Sequence, residues 1–264
     1  MKIYDQHVHT RFSPDSTTEV GEYLEIVNKN GKKHFVCTDH VDFKSVSLGF
    51  TTVVDFKSQA EELEKHKYQY PDIKILKGVE IGFRGDFIPD IERILNENSF
   101  DIVLLSVHDN SIIDFYVQKD VKKFGIIKAL NSALDCILDS VNTITNYNVL
   151  AHIDFAYKTA YLIDDTLKFS QFEEKIIKIL NKIISDKKSL EINTNIQRFL
   201  PIEHTTYLLS LYKRLGGTRL TISSDAHTPE RFEQHFEHYI SLIKQQGFDK
   251  LMYYIDMKEY FVTI

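Results

Sequence analysis

Apolar and polar positions follow two different periods along the chain. Short runs rich in β-branched or other apolar residues occur at KIYDQH (2–7), HFVCTDH (34–40), IKILKGVEI (73–81), FDIVLLSVH (100–108), NVLAHI (148–153), SLEINT (189–194) and RLTISSDAH (219–227). These read as strands. Between them lie longer segments with helical spacing: EVGEYLEIVNKN, VVDFKSQAEELEKHKYQ, DFIPDIERILNEN, VKKFGIIKALNSALDCILDSVNTIT, DTLKFSQFEEKIIKILNKIISDKK and IEHTTYLLSLYKRLGG, with a last amphipathic segment after Pro229. In FEEKIIKILNKII the apolar positions 172, 176, 177, 179, 180, 183 and 184 form one stripe, so this helix buries one face. Gly31 and the pair Gly216 and Gly217 stand where left-handed helix caps belong. Repeated strand then helix implies parallel strands with right-handed crossovers, hence an α/β sheet or a closed β/α barrel.

The last residues of these strands share a chemistry. They are His7 and His9 at the first strand, Asp39 and His40, Glu80, His108, His152, Glu191, and Asp225 with His227. Histidine accounts for 11 of 264 residues, and six of the 11 fall at these ends. In H-V-H the two imidazoles at i and i+2 project from one face of a strand, which is metal-ligand geometry. In α/β sheets and barrels the carboxyl ends of the strands form the active-site face. Imidazoles and carboxylates gathered there are costly to bury without cations to neutralise the acids and orient the rings. A multinuclear metal site is the reading that follows.

Composition narrows the setting. Cys37 and Cys136 are the only cysteines, too few for a disulfide framework or a thiolate zinc knuckle, so any metal is held by His and carboxylate. The length suits one domain over 1–264, with no linker-like stretch. MKIYDQH lacks a signal-peptide core, and no run of about 18 apolar residues occurs, so a cytoplasmic location and no membrane partner are expected. A net charge of −6 argues against a nucleic-acid partner. The basic run from Lys119 to Lys128 reads as the solvated side of a helix. A G-x-S-x-G elbow, a C-x5-R phosphatase loop and a Walker motif are all missing, so covalent Ser or Cys catalysis and nucleotide-driven phosphoryl transfer have no support.

The motifs H-V-H at 7–9, T-D-H at 38–40, G-V-E at 78–80, S-V-H at 106–108, A-H-I-D at 151–154 and S-D-A-H at 224–227 resemble, in order, those of the PHP (polymerase and histidinol phosphatase) superfamily. Within it, E-I-N-T-N-I-Q-R at 191–198 is similar to a segment of the stand-alone histidinol-phosphate phosphatases. The resemblance implies a distorted (β/α)7 barrel with its metal site at the carboxyl ends of the strands. It implies three metal sites: His7, His9, Glu80 and Asp225; a second bridged by Glu80 and completed by His108 and His152; and a third from Asp15, His40 and His227. Many relatives have histidine where Asp15 stands, and a carboxylate there hardens the site, leaving zinc, iron and manganese open for the two or three divalent ions.

The same resemblance makes Arg198 and Lys158 phosphate contacts. Glu191 and Asn193 share a strand face and are expected to orient ligands or contact the substrate ammonium, while Asp39 and Asp154 are expected to fix imidazole tautomers or cap structure. Asp15, His227 or a coordinated water is left to protonate the leaving oxygen. The implied activity is hydrolysis of L-histidinol phosphate to L-histidinol and inorganic phosphate in histidine biosynthesis, a small-molecule ester as the partner. Alternatives are a phosphoesterase for a sugar phosphate, nucleotide or phosphotyrosine protein, and a non-catalytic metal-binding module.

Overall fold

A computed structural model describes residues 3–264 of the chain. Its main sheet is a curled, all-parallel one of seven strands: β1 (His34–Cys37), β2 (His40–Asp42), β3 (Lys74–Gly82), β4 (Ile102–Ser106), β5 (Val149–Leu150), β6 (Ser189–Asn193) and β7 (Leu220–Ser223). The order is β1-β3-β4-β5-β6-β7, with β2 also pairing with β3. This is the distorted half-barrel that alternating strands and helices imply.

The number seven arises differently from the expectation. The described part of the first predicted strand, from residue 3, forms no ladder; only Val8 bridges Ala226. It still occupies a strand's place, because His9 N donates to Ala226 O at 2.8 Å and Thr38 N donates to Val8 O at 2.8 Å. The extended segment thus spans the gap between β7 and β1. The second predicted strand splits at Thr38 and Asp39, whose side chains turn to bonding this segment and the loop after it.

Strand alternation sorts the residues into two layers. Outward residues such as Val79, Ile81, Val103 and Leu105 join the core shared with the helices. Inward residues Val36, Leu76, Ile102, Leu104, Val149 and Ala151 fill the barrel's lower interior. On β3 the inward series is Leu76, Gly78, Glu80, so the same alternation that buries Leu76 aims Glu80 at the barrel mouth. A Cβ at Gly78 would meet Ile102 Cγ2 and Thr38 Cγ2, each at 2.7 Å, so the curl of the sheet leaves room for no side chain there.

The helices fall close to their predicted spans, with two departures. The long segment after β4 breaks at Gly125 (φ 97°) into Gln118–Phe124 and Ile126–Thr143. A helix at Phe155–Ile163, not anticipated, follows β5 and carries Lys158. Among the described residues no helix is long and apolar enough to cross a membrane. Lys119, Lys122, Lys123 and Lys128 are exposed, as a solvated helix face should be.

A C-terminal hairpin, also not anticipated, pairs β8 (Lys250–Ile255) with β9 (Lys258–Thr263) and plugs the barrel's lower end. Its two-residue turn puts Asp256 and Met257 at φ 56° and 60°, the backbone of a primed turn built without glycine. Tyr254 enters the interior cluster and meets Ser189 Oγ at 2.8 Å. The Gln6 amide mimics a strand edge: Nε2 donates to Tyr254 O at 2.8 Å, and Tyr254 N donates to Oε1 at 2.7 Å. Replacing this fully packed ring by alanine should cost about 3–5 kcal/mol, the range for emptying a buried aromatic site. Urea unfolding of Tyr254→Ala checks it; a loss under about 1 kcal/mol would show that the plug contributes little.

Candidate metal centre

At the mouth of the barrel, five imidazoles from four parts of the chain close on one carboxylate. Glu80 is fully buried. Its Oε2 lies 3.1 Å from His7 Nε2, 3.4 Å from His9 Nε2 and 3.0 Å from His40 Nδ1. Its Oε1 lies 3.1 Å from His108 Nε2 and 2.9 Å from His152 Nε2. Asp225 faces His9 Nε2 at 3.2 Å, and His7 Nε2 and His227 Nδ1 at 3.6 Å each. Asp15 reaches His227 Nε2 at 3.0 Å and His40 Nε2 at 3.5 Å. All nine residues expected as ligands therefore meet. Their donor atoms form overlapping groups: His9, Asp15, His40 and His227; His7, His152 and Asp225; His7, His9 and Glu80; His40, Glu80 and His108.

The backbone is bent to reach this arrangement. His152 (φ 22°) and Asp225 (φ 49°) are both in left-handed conformations that residues with a Cβ avoid. Such strain persists only where the surroundings enforce it, and here it turns two donors inward at strand ends.

Charge explains what the cluster is built to hold. Burial pushes Glu80 up, but His7, His40 and His108 outweigh it and hold the carboxyl well below its ordinary value. Burial lowers His7, yet Glu191, Glu80 and Asp225 carry it well above the usual imidazole value. Burial at His108 is likewise outweighed, by Asp42 and Glu80, which lift the ring to about 10. In the protein alone, the positive charge these acids require falls on the rings; divalent cations would take it over and leave the rings as neutral donors.

His9 already shows that state. Burial first, then His227 and His40, bring it down to about 3. Its Nδ1 is 3.0 Å from Ser13 Oγ, whose hydroxyl donates to Asp39 Oδ1, so the ring proton sits on Nδ1. Nε2 is then a lone pair sealed from solvent, without a hydrogen-bond partner, and facing carboxylate oxygens of Glu80 and Asp225. Three lone-pair groups converging without a proton between them are the donor set of a cation, and these residues fit one.

Behind the donors stands a layer of buried groups. Glu191 accepts from His7 Nδ1 at 2.7 Å, from His152 N at 2.8 Å and from Ser223 Oγ at 2.5 Å. Asn193 donates to Glu191 Oε2 and Asp225 Oδ2, and its Oδ1 caps Ile196 N. Of the two roles expected for this pair, orienting ligands is the one the geometry matches, since both are buried and their polar atoms are engaged by the donor residues and their neighbours rather than open to a substrate. Asp39 acts on His9 through Ser13 and does not touch the His40 ring. Asp154 bonds His204 and Gln197 and leaves the His152 ring alone.

Asp42 went unnoticed in the sequence. It accepts from His108 Nδ1 at 2.9 Å and lies 3.5 Å from His40 Nδ1. H-V-D at 40–42 was the available signal, since alternation puts Asp42 on the face of His40. A Cβ at Gly82 would stand 1.8 Å from Asp42 Oδ1, so this glycine makes room for the pairing.

Two cations border the cluster. Lys158 lies one turn into its helix, with Nζ 4.5 Å from the Tyr116 ring centroid and 5.0 Å from that of Phe155. It has no hydrogen-bond acceptor among the described residues, and burial lowers its pKa to about 8. Arg198 is half-buried; its Nε donates to Asn195, and the guanidinium lies 4.3 Å from the Phe199 ring. Arg84, by contrast, is fixed to Asp109 at 3.0 Å and to the carbonyls of Phe43 and Lys44, pinning two loops. Among the aromatic residues that follow the strands, Phe43, Phe83 and Phe115 belong to the core, whereas Tyr116 is exposed beside Lys158.

A curled parallel barrel with a carboxylate-centred cluster of metal-capable side chains at its carboxyl end defines a β/α-barrel protein of the metallohydrolase type. The PHP domain profile matches residues 5–195, and the chain belongs to that family. It is 30% identical to a histidinol-phosphatase of Lactococcus lactis over 266 residues, 98% of this chain and 96% of the relative. The crystal structure of histidinol phosphate phosphatase from Lactococcus lactis, complexed with zinc, L-histidinol and phosphate, matches with a TM-score of 0.84 at 27% identity, covering 98% of this chain and 99% of that one. A Listeria monocytogenes chain, 17% identical over 89% of this chain and 99% of its own, shares the fold with a TM-score of 0.73.

Asp42→Ala should weaken metal binding about 10- to 100-fold, the usual effect of removing a group that orients a ligand imidazole. Competition with a chromophoric chelator measures this directly; unchanged affinity would remove Asp42 from the site's support.

Proposed function

We propose that this protein is a metal-dependent phosphomonoesterase that hydrolyses L-histidinol phosphate to L-histidinol and inorganic phosphate. The observation that carries the reading is the placement of two cations without acid partners, Lys158 and Arg198, beside a cluster of metal-capable groups. That pairing suits a phosphate dianion. The relative that binds zinc, L-histidinol and phosphate supports the choice of ester. We read residues 1–264 as one domain serving one site.

In this reading the ligands are His7, His9, Asp15, His40, Glu80, His108, His152, Asp225 and His227, holding two or three divalent ions of zinc, iron or manganese. When bound, such ions supply a nucleophilic water at neutral pH and Lewis-acid stabilisation of phosphoryl oxygens and the leaving alkoxide. The protein's own groups do the rest. Arg198 offers a fork of N–H donors to phosphate oxygens. Lys158, seated on the Tyr116 and Phe155 rings, adds a point charge whose desolvation makes it seek an anion. Glu191, Asp42 and the Ser13–Asp39 pair keep His7, His108 and His9 in fixed tautomers. Asp15 has a side chain 53% exposed and is bonded to His227 Nε2. Burial there is outweighed by the bonds to His227 and His40, which hold the carboxyl well below its ordinary value, so Asp15 stays ionised and serves as a ligand rather than as a proton donor.

Protein purified without chelator should contain two or three metals per chain and release phosphate from L-histidinol phosphate in preference to other phosphomonoesters. Metal-loaded protein with no preference would keep the hydrolase and discard the substrate; metal-loaded protein inactive on every ester would discard both. Lys158 also gives the activity a pH limb. The ammonium is present below about 8 and lost above it, so kcat/KM should fall as pH rises through about 8. Lys158→Arg keeps its charge and should flatten that fall; an unaltered profile in the variant would separate Lys158 from phosphate binding.

A further inference from the structure

Asp154 sits at the N-cap of the helix Phe155–Ile163, where aspartate normally accepts N–H bonds from the first turn. It makes no such bond. Its Oδ2 instead accepts from His204 Nε2 at 2.7 Å and from Gln197 Nε2 at 2.5 Å. Gln197 is held in turn by Thr205 Oγ1 at 2.5 Å, and the His204 ring stacks on Tyr157 at 4.8 Å with an interplanar angle of 14°. Asp154 and His204 are 1% and 5% exposed. Two N–H donors on one oxygen orient the carboxylate, and among the described residues no lysine or arginine is bonded to it.

Oδ1 is left over. It has no hydrogen-bond partner, and it is not among the buried side-chain atoms sealed from solvent. Its surroundings belong to the candidate site. Asp154 follows His152 by two residues, and its charge acts on Lys158, which also senses Asp225 and Arg198. From the other side Tyr239 senses both Asp154 and Arg198. The next residue, Phe155, packs on the rings of His108 at 5.3 Å and His152 at 5.1 Å, which sets Asp154 beside the cluster. With Oδ2 already held by two donors, an open and unpartnered Oδ1 is a ready acceptor for an N–H brought by a ligand.

We propose that Asp154 Oδ1 is a specificity element that accepts an N–H donor from the nitrogenous leaving group of the phosphate ester, with His204 and Gln197 as its positioning residues. This rests on the phosphatase reading above. Lys158 and Arg198 then take the phosphate end of the substrate, and Asp154 takes the basic end. An alcohol without an N–H group would leave Oδ1 unpaired and lose the benefit.

The test compares kcat/KM on L-histidinol phosphate with that on p-nitrophenyl phosphate, whose leaving group has no N–H. Wild type, Asp154→Asn and His204→Phe are used in metal-loaded form, with metal content and thermal unfolding measured alongside. The ratio between the substrates should fall about 30- to 100-fold in Asp154→Asn, the size of one charged hydrogen bond. In His204→Phe, which keeps the ring against Tyr157 and removes the donor, it should fall about tenfold. Equal losses on both substrates, or a ratio that survives Asp154→Asn, would overturn the assignment alone. Wild-type protein with no preference for the amino-alcohol ester would overturn the substrate reading and this assignment with it.

Discussion

The structure turns on one buried carboxylate. Glu80 has no access to water and receives imidazole nitrogens on both oxygens, from elements spread between residues 7 and 152. A charge so enclosed is tolerable only if opposite charge is supplied at the same place. The segment that carries His7 and His9, the split between β1 and β2, and the left-handed backbone at His152 and Asp225 all bring nitrogen or carboxylate donors to within reach of it. Packing of the lower barrel sets the height at which Glu80 stands, since Leu76 and Glu80 are two points of one inward-facing series.

Around that charge the protein fixes ring orientations more than it makes contacts. His7 leans on Glu191, His108 on Asp42, and His9 on Ser13 and through it Asp39. Each partner takes one ring nitrogen, so the other is left to face inward. Glu191 and Asn193 are buried with their polar atoms engaged, which is why they belong to the support of the site and not to its open face.

Much of this was legible in the sequence because two periods coincide. Strand alternation and position at a strand's end together mark His40, Glu80, His108 and His152, and the same rule would have reached Asp42. What escaped notice was conformation that leaves little trace in composition. The hairpin at 250–263 turns on Asp256 and Met257, without the Asn-Gly or Asp-Gly pair that signals a primed turn. The helix holding Lys158 begins at an aspartate that gives up capping, so its start resembles a loop. The first strand looked like one because it is extended and apolar, but it is held by two neighbours at single points and never forms a ladder.

The Gln6 clamp has a consequence in time. It joins groups 248 residues apart in sequence, and Gln6 is the neighbour of His7. During synthesis His7 and His9 emerge well before Asp225, β7 and the hairpin that fix them. Contacts of such long range form late, after the chain has given up most of its loop entropy. Seven of the nine expected ligands precede residue 153, but the segments that hold His7 and His9 in place come later, so the full donor set stays unassembled until they arrive. Assembly of the metal-capable donor set is tied to closure of the barrel, which makes the cluster a record that the fold has closed.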